Sequence, residues 1–285
     1  MPDFHEPRTI GEAVGLLAAD DHARCLAGGA SLVAMMNFGM LEPSHLVSLR
    51  RIEELHGIRE DGIGGFRIGA MTTHREVFGD ARLVRSNGVL HEALGTIDIV
   101  IRNMGTIGGA IAHADPSSDV VAALVAAGAT VEIVGPAGQR SAPVENLFEF
   151  YLTTTLSPGE MVTAVVLPAP APDSAGVHEK VCRVHGDIAT VNASATIAFE
   201  SGAISAARLV LGGCAPVPLH VEEADACLVG TVADEAAITA AAALLVEAAD
   251  PPSDVRGSAD YRRLLIPRLV ARLIGRAVVR REAPA

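Results

Sequence analysis

The sequence contains no tryptophan, only seven phenylalanines and two tyrosines among 285 residues, and a single lysine, Lys180. So few aromatic side chains offer no platform on which nucleic-acid bases could stack. The charge excludes the same partner, because 34 acidic residues against 22 basic ones give a net charge of −12, which repels a phosphate backbone. Since every other basic residue is arginine, Lys180 stands out as a residue to locate in the fold.

Long apolar runs and a basic leader are also absent. No run approaches the roughly 20 apolar residues that a membrane span needs, and Ala-rich stretches such as Val120 to Thr130 are short. The first seven residues, MPDFHEP, are acidic, whereas a secretory signal is basic and then apolar. We therefore expect a cytoplasmic protein without a membrane span.

Metal-ligand spacings are missing as well. The four cysteines form no Cys-x-x-Cys pair, and the ten histidines form no His-Glu-x-x-His motif. The sequence therefore predicts neither an iron–sulfur cluster nor a metal site on this chain, and it favours buried thiols in a reducing compartment. The cysteines are Cys25, Cys182, Cys214 and Cys227.

Helix and strand signals alternate in the first part of the chain, which predicts an α/β arrangement. Residues 9–12 (TIGE) have the form of a capping box and begin a predicted helix that runs to about Ala19. A short apolar strand at 24–27 then ends at a glycine pair. A later predicted strand, 161–167, is followed by three prolines within residues 168–172, and we place a domain boundary there.

The pattern beyond this boundary is antiparallel. Residues 190–197 alternate polar and apolar side chains, and a turn at 200–203 leads into a second strand at 204–211. Three helices are predicted near 221–228, 234–248 and 259–281. The last one carries an arginine stripe with four-residue spacing, which is either a solvated face or a docking surface for an acidic partner. The stripe consists of Arg268, Arg272, Arg276 and Arg280.

Two glycine-rich loops are the candidate binding elements. Residues 27–31 (AGGAS) and 106–110 (TIGGA) each place a glycine pair near the start of a predicted helix. Backbone N–H groups can approach an anion there without an intervening Cβ, so pyrophosphate is the expected ligand. Neither loop matches the P-loop or the Gly-x-Gly-x-x-Gly fingerprint, and each is also compatible with a simple tight turn.

The chain resembles the FAD-binding medium subunit of molybdenum hydroxylases, the family that includes aerobic carbon monoxide dehydrogenase and xanthine dehydrogenase. The resemblance rests on motifs that follow the family's order along nearly the whole chain. They are AGGASL (27–32), VIRNMGTIGG (100–109), AHADPSSD (112–119), Gly159-Glu160 before a strand, Lys180 ahead of Arg183 and DIA (187–189), LGG (211–213) and RGSADYRR (256–263).

The resemblance implies an α+β protein with two domains. Residues 1–172 would form a two-part FAD-binding fold of the vanillyl-alcohol-oxidase type, divided at about 1–55 and 56–172. Residues 173–285 would form a smaller C-terminal flavoprotein domain with a three-stranded antiparallel sheet and helices.

The resemblance also assigns residues to the cofactor. Both glycine loops would line the FAD pyrophosphate, Asp119 would contact the sugar–phosphate portion, Met161 would flank the adenine, and Lys180 would reach the flavin side. The alternative for Lys180 is an ordinary surface cation. The assigned residues are Ala27, Gly28, Gly29, Ala30, Ser31, Leu32, Thr106, Ile107, Gly108, Gly109, Ala110, Asp119, Met161 and Lys180.

Three positions depart from the family's pattern. Ala110 stands where asparagine is frequent, and Gly39 and Met104 each replace a frequent arginine. We therefore expect no side-chain amide contact to the flavin at residue 110, and we do not carry over the family's contacts for the loop after Met36.

By the same resemblance, the chain is an oxidoreductase subunit that carries FAD and no catalytic side chain. It would pass electrons from a small subunit with two iron–sulfur clusters to an external acceptor, while a large subunit with a molybdenum-pterin cofactor hydroxylates the substrate. The three chains would pair into a dimer of heterotrimers. The acceptor, which is oxygen, a quinone, a cytochrome or NAD, stays open, as does the substrate. A more distant alternative is a non-catalytic nucleotide-binding scaffold subunit.

Overall fold

The structure is a computed structural model that describes residues 2–282, apart from the side chains of Arg85 and Glu282. Met1 and residues 283–285, the outer ends of the two predicted domains, lie outside the described residues. Within the described chain, no helix is long and apolar enough to cross a membrane.

The N-terminal part is a small parallel sheet with two helices. Its strands run in the order β1-β3-β2, and the Thr9 side chain caps the first helix by accepting a hydrogen bond from the Glu12 N–H. The Glu12 carboxylate accepts a hydrogen bond from the N–H of Arg8 rather than from that of Thr9, so the predicted capping box is only partly formed. The elements are β1 (Asp3–His5), α1 (Ile10–Ala19), β2 (Arg24–Leu26), α2 (Leu32–Asn37) and β3 (His45–Ser48).

An antiparallel five-stranded sheet in the order β4-β5-β10-β6-β7 follows, and a two-stranded ribbon, β8-β9, accompanies it. The elements are β4 (Ile58–Glu60), β5 (Phe66–Gly69), α3 (His74–Gly79), α4 (Ala81–Ser86), α5 (Gly88–Gly95), α6 (Ile99–Met104), α7 (Ile107–His113), α8 (Asp119–Ala126), β6 (Thr130–Gly135), β7 (Gly138–Pro143), β8 (Phe148–Phe150), β9 (Thr153–Thr154) and β10 (Met161–Leu167).

The C-terminal part is an antiparallel sheet with three helices. The resemblance implied three strands, but the sheet has four, because the two-residue strand β14 pairs with residues 210 and 211 of β13. The elements are β11 (Ser174–Val181), β12 (Val191–Glu200), β13 (Ala203–Gly212), β14 (Leu219–His220), α9 (Glu222–Ala226), α10 (Glu235–Ala248) and α11 (Ala259–Glu282).

Helix α8 joins the two larger parts. Its sequence, DVVAALVA, is apolar on all sides after the first residue, and all eight of its residues are buried, as expected for a helix enclosed by other elements. It contacts α5 and the short 3-10 helix Val144–Leu147 on one side, and strands β12 and β13 on the other. The side chain at its N-terminus, Asp119, is therefore brought against the C-terminal sheet.

The arginine stripe on α11 was predicted to be either a solvated face or a docking surface, but most of it is engaged in ion pairs within the chain. Arg276 donates to the carboxylates of Glu179 and Glu92 at 2.7 and 2.8 Å, and Arg280 pairs with the same Glu92. Arg272 lies 3.2 Å from Glu179. Since Glu92 belongs to α5, three of the four arginines bind acidic groups within the chain and fasten α11 to the rest of the fold.

Candidate functional site

A cavity of about 810 Å³ lies where the three sheets approach one another. This volume is within the range of about 300–1,000 Å³ that is usual for ligand sites. All the residues assigned to the cofactor line it except Ile107, whose side chain is fully buried in the core beneath the second glycine loop. The fold thus brings the two loops, Asp119, Met161 and Lys180 into one place, although they are far apart in sequence.

The first glycine loop offers free donors to this cavity. It connects β2 to α2, and among the described residues the backbone N–H groups of Gly29, Ala30, Ser31 and Leu32 donate to no protein group. The Ser31 hydroxyl does not cap α2 either. A run of unpartnered amides at the start of a helix is an arrangement that binds phosphate oxygens.

The glycines of the two loops are required by packing. A Cβ on Gly28 would lie 1.6 Å from the carbonyl oxygen of Met104, just before the second loop, and a Cβ on Gly108 would lie 2.5 Å from the Cβ of Ala70. Gly29 has φ +78°, a backbone conformation that favours glycine. The loops therefore touch each other and leave the space beside them to a ligand.

The second glycine loop differs from the first because its amides are already used. The N–H groups of Ile107 and Gly108 donate to the carbonyl oxygens of Thr72 and Ala70, at 3.0 and 2.9 Å. The N–H of Gly109 donates to the Thr106 hydroxyl at 3.1 Å, which makes Thr106 the N-cap of α7. This loop gives the cavity a wall of small residues, whereas the first loop gives it donors.

Lys180 is not a surface cation. Its side chain is 5% exposed, and its Nζ donates to Oδ2 of Asp119 at 2.7 Å. Oδ2 of Asp119 also accepts from the Thr96 hydroxyl, and Oδ1 accepts from the amide of Asn192 at 3.0 Å. Burial favours a raised pKa for Asp119, but the contacts with His178 and Lys180 outweigh it and lower the pKa below its usual value. The cavity wall thus contains a buried ion pair.

Sequence reasoning missed His74, which also lines the cavity. The imidazole lies under the second loop, with Nε2 3.2 Å from the carbonyl oxygen of Thr106. Burial lowers the pKa of His74 to about 4, so the ring is neutral at pH 7. Its position directly after the N-cap Thr73 of a short helix gives no signal in the sequence that it would reach the cavity.

Of the three departures from the family's pattern, Ala110 lines the cavity with an apolar methyl group, as expected. Gly39 does not line it, but its neighbours Phe38 and Met40 do. The Met104 side chain is exposed, and the carbonyl group of this residue packs against Gly28.

The mouth of the cavity is apolar and open. Five of its lining residues are exposed hydrophobic side chains, and Phe38, the most exposed, has 80% of its surface accessible. We call this set the apolar rim, which consists of Phe38, Met40, Ile101, Leu152 and Ile188. Exposed apolar groups clustered around a ligand site are typical of a surface that another protein covers.

Among the described residues, no three His, Cys, Asp or Glu side chains are placed to hold a metal ion. The cleft has free amides that suit phosphate and an apolar mouth, which together are typical of a protein that binds a nucleotide cofactor.

Residues 2–170 match the family described as "FAD binding domain in molybdopterin dehydrogenase", and residues 177–277 match the "CO dehydrogenase flavoprotein C-terminal domain". The chain belongs to this family of FAD-binding medium subunits of molybdenum hydroxylases, which are oxidoreductases. It is 38% identical to the carbon monoxide dehydrogenase medium chain of Afipia carboxidovorans over 98% of this chain and 97% of that one. It is 35% identical, with the same coverage, to the medium chain from Hydrogenophaga pseudoflava.

The fold agrees with the sequence comparison. A reconstituted CO dehydrogenase from Oligotropha carboxidovorans contains a chain that superimposes with a TM-score of 0.95 at 38% identity, and 98% of each chain is covered. The resemblance seen in the sequence motifs is therefore confirmed over nearly the whole length of the protein.

Proposed function

We propose that the cavity binds FAD with the pyrophosphate on the free amides of Gly29 to Leu32. These four unpartnered N–H groups are the observation that carries the assignment, since a buried or half-buried donor is costly unless a ligand accepts from it. The second loop then lines the cavity with small residues, so that the extended cofactor can lie across both loops. These residues are Gly108, Gly109 and Ala110.

Asp119, Met161 and Lys180 complete the proposed contacts along the same cavity. The ion pair of Asp119 and Lys180 keeps a cation at the wall without leaving a net charge buried there. Lys180 has three N–H donors, of which one is given to Asp119 and one, at 3.4 Å, to the carbonyl oxygen of Thr96, so one donor is left for the cofactor. The FAD itself supplies the redox chemistry, and the residues of this chain bind it, orient it and set its electrostatic surroundings.

The apolar rim is proposed as part of the surface that a partner chain covers. Relatives named as medium chains imply a large and a small partner. Because electron transfer needs the donor close to the cofactor, we place the small iron–sulfur chain against Phe38, Met40 and the rest of this rim. The large chain carries the molybdenum-pterin cofactor, and three different chains pair into a dimer of heterotrimers that delivers electrons to an external acceptor.

Two finer assignments belong to the same proposal. The FAD-binding part is of the vanillyl-alcohol-oxidase type, with subdomains at about 1–55 and 56–172. Its end near residue 172 is supported by the proline-rich segment between β10 and β11. The complex is placed in the cytoplasm, since the four cysteines are all free thiols.

The test is the visible spectrum and metal content of the complex that a tag on this chain retrieves from its host. FAD together with iron, sulfide and molybdenum in three different chains is the expected result. A single chain that binds no added FAD would overturn the proposal and reduce both glycine loops to turns.

A further inference from the structure

His178 is a buried histidine beside the proposed cofactor site and is not among the residues assigned to the cofactor. It lies on β11, two residues before Lys180, and its side chain is fully inaccessible to solvent. Its Nδ1 lies 2.8 Å from the Ser194 hydroxyl. Its Nε2 has no hydrogen-bond partner of ordinary geometry in the described chain and lies 3.4 Å from Oδ1 of Asp119.

The surroundings fix which nitrogen carries hydrogen. A lone pair on Nε2 would face the Asp119 carboxylate and be repelled, so Nε2 carries the hydrogen and Nδ1 accepts from the Ser194 hydroxyl. The same Nε2–H faces Asp119 if the ring is also protonated at Nδ1. His178 therefore presents the positive end of an N–H dipole to the carboxylate.

Asp119 transmits this contact to the cavity. Its carboxylate meets four donor groups, with Asn192 and His178 at Oδ1 and Lys180 and Thr96 at Oδ2. Both members of the ion pair, Asp119 and Lys180, line the cavity, whereas His178 does not. A change at His178 thus alters the cavity wall without removing a lining group.

We propose that His178 is a positioning residue for the cofactor: by holding Asp119 as an anion, it keeps Lys180 in place at the cavity wall. The inference rests on the proposed binding of FAD in this cavity. It extends the site to a residue of the C-terminal domain that does not line the cavity.

Other charged groups face His178 through its backbone. The Glu92 carboxylate, on α5, accepts from the His178 N–H at 2.8 Å, and Arg276, on α11, donates to its carbonyl oxygen at 2.8 Å. Glu179, the next residue on β11, pairs with Arg276 on the opposite face of the strand. Because these contacts use the backbone or another side chain, they persist when the imidazole is replaced.

The experiment measures the dissociation constant of FAD for the full chain, stripped of flavin, from pH 8 to pH 5. His178→Phe keeps the ring volume but removes the donor, and His178→Gln retains an N–H that can reach the same carboxylate. In the wild type the contacts with His178 and Lys180 hold the pKa of Asp119 below its usual value, so we expect the carboxylate to stay ionised and the affinity to be flat over this range. In His178→Phe the carboxyl protonates more easily, so affinity falls about tenfold between pH 8 and pH 5. His178→Gln restores most of the flat profile.

His220→Ala is the matched control. His220 also joins two parts of the chain from a mostly buried position, with Nε2 2.8 Å from Asp225 and Nδ1 3.2 Å from Glu145, but it does not line the cavity. This variant is expected to keep the wild-type FAD affinity at every pH. If His178→Phe does not fold, as judged by circular dichroism, His178→Ala takes its place.

The outcomes separate the two proposals. A folded wild type that binds no FAD at any pH overturns the function proposed for the cavity, and this inference falls with it. A wild type that binds FAD while His178→Phe matches it across the pH range overturns the positioning role alone. The positioning role is also overturned if His178→Gln loses as much FAD affinity as His178→Phe, because the loss would then follow from packing rather than from the N–H group.

Discussion

Replacing Gly28 with alanine tests the contact between the two glycine loops. The added Cβ would lie 1.6 Å from the Met104 carbonyl oxygen and 2.7 Å from its carbonyl carbon, far inside normal contact. The neighbouring atoms are backbone and cannot turn aside as a flexible side chain does, so the loops must separate. Overpacking in a close-packed interior costs about 1–3 kcal/mol, and a backbone clash belongs at the upper end, so we expect a loss of about 3 kcal/mol in unfolding free energy.

The same separation moves the free amides of the first loop away from the proposed phosphate position. A hydrogen bond to a charged group is worth about 1.5–3 kcal/mol, so the loss of one weakens FAD binding by at least about tenfold. Urea unfolding measures the first effect, and titration of flavin fluorescence measures the second.

Gly15→Ala is the matched control for Gly28→Ala. Gly15 lies in the interior of α1, is exposed, and has no atom within 4 Å of the position a Cβ would take. Alanine is favoured over glycine by about 0.5–1 kcal/mol in a helix interior, so this variant should be more stable and bind FAD normally. If Gly28→Ala were as stable as the wild type and bound FAD equally well, the loops could not be in the contact described here.

Three further predictions concern buried groups. Asp119→Asn leaves the Lys180 ammonium without its partner and should lower the free energy of unfolding, measured in urea, by about 3–5 kcal/mol. The double variant with Lys180→Met should lose less than the sum of the two single variants, and strict additivity would contradict the pairing. Burial lowers the pKa of His74 from 6.5 to about 4, so the folded state binds fewer protons than the unfolded one in this window. Stability is then full above pH 6.5 and falls by up to about 3 kcal/mol as the pH drops towards 4, and His74→Gln should remove this part of the slope; an unchanged slope would refute it. Burial also raises the pKa of the Cys214 thiol to about 12, so iodoacetamide at pH 8 should modify Cys214 far more slowly in the folded protein than in urea, as peptide mass spectrometry would show, and equal rates would contradict its burial.

Local patterns predict the regular elements where burial is uniform. The strand expected at 161–167 is found at Met161–Leu167, since an apolar run bounded by Glu160 and Pro168 can hardly end elsewhere. Helix α10, predicted near 234–248, is found at Glu235–Ala248, and Asp234 is its N-cap. Strand β7, Gly138–Pro143, has no such pattern, because it lies at the edge of its sheet and is held by backbone pairing with β6.

The candidate site is predictable in its residues but not in its bonding. Motifs identify the glycine loops, Asp119 and Lys180, yet which amides are free depends on the carbonyl groups of Ala70 and Thr72, more than 30 residues from the loop. The pairing of Lys180 with Asp119 spans 61 positions. Such contacts follow from how the sheets meet, which no local spacing encodes.

The order in which the cavity walls appear along the chain has a consequence for the protein's synthesis. The first loop leaves the ribosome early, the second some eighty residues later, and the third wall, with Lys180, only after strand β11 has emerged. A nascent chain that ends before β11 has both glycine loops but lacks the wall that carries Lys180, the ionic partner of Asp119. The complete cavity therefore exists only in chains whose C-terminal domain has already docked.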